Sequence, residues 1–163
     1  EDINSLPVSE QKIKQDVMER VICYSQSARG VKFLHGKIVR ELIQCWNPDS
    51  NLEGFSFRKN ANEVSLSGAN LRVLRSKDLN SSRECFLRFL RVDNLDLRGS
   101  GITSLAQIEG LSVKEVDIRD TKITNLHPHN ATKTIQVVYL NSGQFDPDSK
   151  YKVPKSIKLI YKD

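Results

Sequence analysis

Two acid-base triplets, Asp96-Leu97-Arg98 and Asp117-Ile118-Arg119, carry the side chains in this sequence most suited to recognition. Opposite charges two residues apart can offset each other at the surface, or they can present Arg to a partner, a residue type enriched at binding hot spots. Other candidates for chemistry are thinner. His127 and His129 flank Pro128 in a His-x-His arrangement that suits a metal, but the sequence sets no third ligand nearby, so a solvated loop is the preferred reading. His35 falls in a predicted helix among basic residues. No nucleophile stands beside a base, no glycine-rich loop offers to cradle phosphate, and the kinase signatures are missing. Asp146-Pro147-Asp148 is too short for a calcium loop and reads as a turn. Asn80-Ser81-Ser82 and Asn130-Ala131-Thr132 match the glycosylation acceptor, which matters only in a secretory setting. Cys23, Cys45 and Cys85 are too few and scattered for a disulfide framework or a zinc site, and read as small buried apolar groups, with a Cys23–Cys45 bridge left open. These residues predict a protein that is not an enzyme and needs no cofactor, with a metal-dependent enzyme as the remote alternative.

The elements that position the triplets come from a wider pattern. Residues 95 to 105, LDLRGSGITSL, return at 116 to 126 as VDIRDTKITNL. Extended backward, one copy reads Val92, Leu95, Leu97, Ile102, Leu105 and the next Val113, Val116, Ile118, Ile123, Leu126. An earlier copy is Ala61, Val64, Leu66, Leu71, Leu74, and a later one Ile135, Val138, Leu140, Phe145. Pro154, Ile157 and Leu159 supply a half copy. Each apolar-x-apolar centre alternates with period two and so predicts a short strand with one buried face. One such unit cannot bury its own apolar side, so the units must stack.

This spacing resembles the leucine-rich repeat pattern LxxLxLxxNxL, whose period is about 20 to 29 residues. The resemblance covers residues 61 to about 160. It implies an α/β solenoid of four to five repeats over residues 51–163, with parallel strands on a concave face where partners commonly bind. The family's Asn position holds Ala69, Ser100, Thr121 and Gly143 here, so the usual ladder of side-chain amides is absent and only the two hydroxyls can do part of its work. The stretch from Ile102 to Leu126 is similar to a variety common in bacterial multidomain proteins, in which Leu105, Ile108 and Leu111 line a short convex segment. Repeats of that kind are appended to bacterial serine/threonine kinases and other signalling proteins, which implies a regulatory or sensory tail.

Flanking elements complete the prediction. Ile13, Val17, Val21, Tyr24 and Ala28 recur at helical spacing from a Ser9 cap to a break at Gly30. Leu34, Ile38, Leu42 and Cys45 predict a second helix that stops at Trp46, before Asn47-Pro48. Residues 1–50 therefore form a helical N-terminal segment, either a cap on the repeats or a separate hairpin whose apolar side would make a natural dimer surface. GFSFRKNANEVSLSG predicts a β-hairpin over the first repeat, and SIKLIYKD a final strand with Lys at its edge. The first step between copies is about ten residues longer than the rest, and its extra SSRECFLRFL, with Ser81 and Glu84 as a capping box, predicts an amphipathic helix.

Composition agrees with a packed chain. Of 163 residues, 38% are hydrophobic and 28% charged, and no apolar run reaches the length of a membrane span. The net charge of +5 is unevenly spread. Residues 51–91 hold eight Lys and Arg against four Asp and Glu, whereas 92–130 hold four against six. Because the most regular part is acidic, nucleic acid is an unfavoured partner. The opening residues, EDINSLPVSEQK, lack Met and a cationic-apolar leader, which predicts a fragment or processed product and leaves localisation open.

Across the predicted strands, residues on the open face fall in two columns. The first is Ser65, Asp96, Asp117, Tyr139, Lys158, and the second Ser67, Arg98, Arg119, Asn141, Ile160. With strands about 4.8 Å apart, like charges stack within a column and the neighbouring column supplies the opposite sign. One reading is a solvated face whose pairs contribute about 0–1 kcal/mol each. The other is a protein-binding patch of Asp96, Arg98, Asp117, Arg119, Tyr139 and Asn141. The Asp-x-Arg recurrence is not needed for stacking, which favours the patch; a structural spacer is the alternative.

Overall fold

The alternating centres of the pattern become short strands laid side by side. The computed structural model describes residues 7–27, 36–76, 84–127, 133–145 and 153–162. Its sheet runs in the order β1 (Ser56–Arg58), β2 (Glu63–Ser65), β5 (Asn94–Asp96), β6 (Glu115–Asp117), β7 (Val137–Leu140), β8 (Lys158–Tyr161). The β1–β2 pair is antiparallel and every later pair parallel. Two further strands, β3 (Arg75–Ser76) and β4 (Glu84–Cys85), pair antiparallel by themselves. With the helices α1 (Val8–Ser27) and α2 (Gly36–Trp46), the chain is an α/β structure on a six-stranded, mostly parallel sheet.

The core follows the copies. Val64, Leu95, Val116, Val138 and Leu159 are successive ladder partners. Leu66, Leu97, Ile118 and Leu140, two residues further along, are fully buried. Burying a side chain of this size is worth about 1.5–3 kcal/mol, so the stack accounts for the recurrence by itself. Each strand then turns through a left-handed residue, Gly68, Gly99 or Asp120, at φ 69°, 57° and 58°. Glycine adopts that conformation freely and Asp tolerates it. Gly101 is more constrained: at φ +80°, an added Cβ would lie 2.8 Å from the Leu71 carbonyl oxygen.

The β1–β2 hairpin forms as predicted, with Phe57 opposite Val64 and Asn62 in the left-handed turn. The final strand forms too, but its register differs from the expectation. Leu159 lies beside Val138, Lys158 beside Val137 and Ile160 beside Tyr139. The last half copy is therefore displaced by two residues, and Lys158 and Ile160 move to different columns. A two-residue slip leaves every side chain on the same face, so alternation alone could not detect it. Backbone bonds decide it, from Lys158 N–H to Gln136 O at 2.8 Å and from Lys162 N–H to Leu140 O at 3.0 Å. Ala61, assigned to the leading apolar place of the first copy, is instead exposed in the hairpin's 3-10 turn.

The helices depart in detail. Ser9 lies inside α1, whose first turn has Gln11 N–H bonded to Pro7 O at 3.0 Å, so it is not the cap. Ile13 is 57% exposed, while Val17 is buried. Gly30, Ala28 and Leu34 lie outside the described residues. In α2, Val39, Leu42 and Ile43 are fully buried in the same core as the strands, and Ile38 and Cys45 pack partly against it. The segment expected as an amphipathic helix is instead β4 followed by a 3-10 turn, Phe86–Phe89. Ser81, its expected cap, lies outside the described residues. Phe86 and Leu87 are buried, and the Phe86 ring meets Trp46 of α2 at 5.3 Å between centroids. Four residues suffice because the apolar side chains already reach the core from an extended approach. Leu105–Ile108 is a further 3-10 turn, capped by the Ser104 hydroxyl accepting Ala106 N–H, with both end residues buried.

Candidate functional site

The open face of the sheet holds the side chains that alternate with the core. In β5 and β6, Asn94 and Asp96, then Glu115 and Asp117, are half-buried around the fully covered Leu95 and Val116. Asp96 and Asp117 are ladder partners, and Tyr139 follows Asp117.

Each arginine folds back on the aspartate of its own strand. Asp96 Oδ1 accepts the Arg98 backbone N–H at 3.1 Å and its Nε at 2.9 Å, while Oδ2 accepts Nη2 at 2.7 Å. Asp117 repeats the arrangement with Arg119 at 3.2, 3.0 and 2.8 Å. The expected neutralisation between columns is a weaker feature, with Arg98 Nε 3.7 Å from Asp117 Oδ2. The triplet thus has a local task that the sequence reading denied it. The carboxylate satisfies the N–H of the residue entering the turn, as the Ser65 hydroxyl does more loosely for Ser67 at 3.4 Å.

Tyr139 donates its hydroxyl to Glu115 at 3.1 Å, and Lys162 Nζ lies 4.5 Å from its ring centroid. Asn141 leaves the patch: its side chain donates to Asp120 at 2.8 Å, and its N–H bonds to Gln144 Oε1 at 3.0 Å. Glu115, Lys162 and Glu63, which takes an ion pair from Arg58, belong to the face and were missed. The signal for Glu63 and Glu115 was available, since they sit two positions before Ser65 and Asp117, which were already assigned to the open face.

Electrostatics follow the pairing. Burial on its own would raise the Asp96 carboxyl, but hydrogen bonds from the Arg98 side chain and backbone, its charge and the Ser65 hydroxyl outweigh that and hold it below the usual range. The same bonds hold Arg98 above the ordinary arginine value. The Tyr139 phenol is raised, chiefly by its bond to Glu115. A depressed carboxyl contributes stability above its unfolded value, near 3.9, and that contribution is lost as pH falls through the folded value. Urea midpoints are therefore expected to fall on acidification below about pH 4 more steeply for the wild type than for Asp96→Asn. Identical slopes would remove Asp96 from the acid response.

Side-chain hydrogen bonds tie down the turn after β6. Thr121 Oγ1 donates to Ile118 O at 2.6 Å and accepts Ile123 N–H at 3.3 Å. Gln144, next to Gly143, reaches back with its amide to Ile118 O, Thr121 Oγ1 and Ile123 O at 2.8, 3.2 and 3.1 Å. Ser100 does not join: its hydroxyl is fully buried with no hydrogen-bond partner among the described residues.

His127 is exposed, with its backbone N–H on Asn125 Oδ1 at 3.0 Å. His35, His129, both glycosylation triplets and the Asp146-Pro147-Asp148 turn lie outside the described residues. Among the described residues no three His, Cys, Asp or Glu side chains gather into a metal site, and no helix is long and apolar enough to cross a membrane. Cys45 packs partly on the core, the Cys23 side chain lies outside what the structure describes, and burial pushes the Cys85 thiol up to about 12. No protein-family model matches the chain, and neither the curated proteins nor the solved structures contain a significant match to it.

Proposed function

We propose that this chain is a leucine-rich-repeat solenoid that binds another protein through the open face of its sheet, as a non-catalytic module. The observation that carries the reading is the pair of stacked Asp–Arg units beside Tyr139. Asp96 and Asp117 are 18% and 17% exposed at the side chain, yet Arg98 remains 43% exposed and Tyr139 lies next to them. Guanidinium groups already aligned by a carboxylate lose little rotamer freedom on meeting a partner. A regulatory or sensory tail of a larger bacterial signalling protein, such as a serine/threonine kinase, is the specific form this reading takes.

A structural spacer is the second reading, and one observation favours it: the Asp carboxylates cap backbone N–H groups, so their recurrence has a use without any ligand. The two readings separate in a quadruple variant, Asp96→Ser, Arg98→Ser, Asp117→Ser and Arg119→Ser. It copies the natural Ser65-Leu66-Ser67 at the end of β2, in which Ser65 serves the same N–H, so folding is expected to persist. Affinity capture from the source cell's lysate would supply a partner, and titration with that purified partner would compare the two chains. Binding is expected to weaken on the order of 30-fold in the variant, the size of a hot-spot loss. Equal affinity would move recognition off this face and leave the spacer reading for it.

A further inference from the structure

The ten-residue excess in the first step between copies has a product on the opposite side of the strands from their turns. Where the chain enters β5 and β6, Leu90 to Asp93 and Gly110 to Lys114 border a groove of about 440 Å³. That volume is in the range of specific ligand sites, about 300–1,000 Å³. Its floor is apolar, made by Leu90, Val92 and Leu111, and its rim carries Arg88, Arg91 and Lys114. All three cations are exposed. Asp93 is the one acid among the described lining residues, and it is already paired with Lys114 Nζ at 3.3 Å and with the Asn62 amide at 2.8 Å. Among the described residues the lining thus holds three cations and one acid. Arg88 and Arg91 belong to the basic stretch 51–91, and the Arg88 guanidinium lies 5.3 Å from the Phe89 ring. At the next border along the sheet the Thr134 hydroxyl bonds to Val113 O at 2.9 Å.

We infer that this groove binds an extended acidic segment of a partner protein, with carboxylates on Arg88 and Arg91 and an apolar side chain on Leu90, Val92 and Leu111. Charge complementarity names the occupant. An arginine fork accepts carboxylate in two parallel hydrogen bonds, and an extended peptide alternates its side chains, so acidic and apolar residues reach rim and floor in turn. Nucleic acid fits less well, because none of the described lining residues is aromatic to serve bases as a stacking platform. This site is separate from the open-face patch and does not depend on it.

The test uses the full chain and a fluorescein-labelled peptide of repeated Glu-Leu-Glu, followed by anisotropy, with a Gln-Leu-Gln counterpart and an oligothymidine strand as controls. Saturable binding is expected for the Glu peptide, weakening with salt and absent for the Gln peptide. Arg88→Gln combined with Arg91→Gln is expected to weaken it about tenfold, while the open-face quadruple variant leaves it unchanged. Because both arginines are exposed, the double variant should keep the wild-type circular dichroism. Amide shifts on peptide addition should centre on Gly110, Ser112 and Lys114. Unchanged affinity in the double variant, loss in the open-face variant, or equally tight oligothymidine binding would each overturn the inference.

Discussion

Asn47→Ala is expected to lower the unfolding free energy by about 3 kcal/mol, read from urea melts by circular dichroism. Asn47 is 2% exposed and stands where α2 ends. Its Nδ2 donates to Ile43 O at 2.9 Å and to Val73 O at 2.8 Å. Its Oδ1 accepts the N–H groups of Arg72 and Val73 at 2.8 and 3.0 Å. One side chain thus ties the last turn of a helix to a connection in the first repeat-like unit. Alanine strands two donors and one carbonyl away from bulk water, and each costs on the order of 1–3 kcal/mol when left unpaired, less whatever water can reach. The Ile43 carbonyl keeps the Asn47 backbone N–H at 3.0 Å, so it is not stranded. Against a typical stability of about 5–15 kcal/mol, this is a large loss. Amide exchange supplies a second readout, in which Arg72 and Val73 should lose protection before the strands do. A loss below about 1 kcal/mol would mean that water replaces the clamp.

Phe86→Ala is expected to cost about 4 kcal/mol, within the range of about 3–5 for a buried Phe truncated to Ala. The ring is fully buried and tilted 50° against Trp46. Its backbone N–H is held by Leu74 O at 2.8 Å, so the surroundings cannot easily collapse into the space. Trp46 is the one tryptophan of the chain, which makes its fluorescence a direct report on this junction. The variant should shift Trp46 emission to longer wavelength before global unfolding, because α2 loses a main contact with the sheet side of the core. Phe86→Leu, nearer in volume, is expected to cost less than about 1.5 kcal/mol and to keep the emission. Equal costs for the two substitutions would show that ring volume is not what joins α2 to the strands.

The parallel strands and their order were legible because a stacked strand with one covered face has to alternate. Val64, Leu95, Val116 and Val138 announce one another at their spacing. The hairpin was legible for the same reason, joined to a polar turn with Asn62 at its corner. SSRECFLRFL misled because Phe86, Phe89 and Leu90 have a spacing that suits a helix as well as a short extended entry to the core. Apolar spacing over so few residues does not separate the two.

At the site, the composition of the open face could be read and its pairing could not. Asp96, Arg98, Asp117, Arg119 and Tyr139 cluster, while Asn141 turns away to Asp120 and Glu115 comes in through the Tyr139 hydroxyl. Side-chain reach decided these partners, and strand alternation carries no information on reach.

By itself the sequence determined which side chains are buried along β2, β5, β6 and β7 and which face outward, since period-two alternation follows from strand geometry. Only the tertiary structure decided the rest. It placed Leu159 against Val138 because ladder hydrogen bonds distinguish registers that alternation treats as equal. It closed each Asp-x-Arg on itself because the carboxylate is within reach of its own strand's turn. It gathered Arg88, Arg91 and Lys114 from two connections into one groove, a juxtaposition of residues distant in the chain that no local pattern encodes.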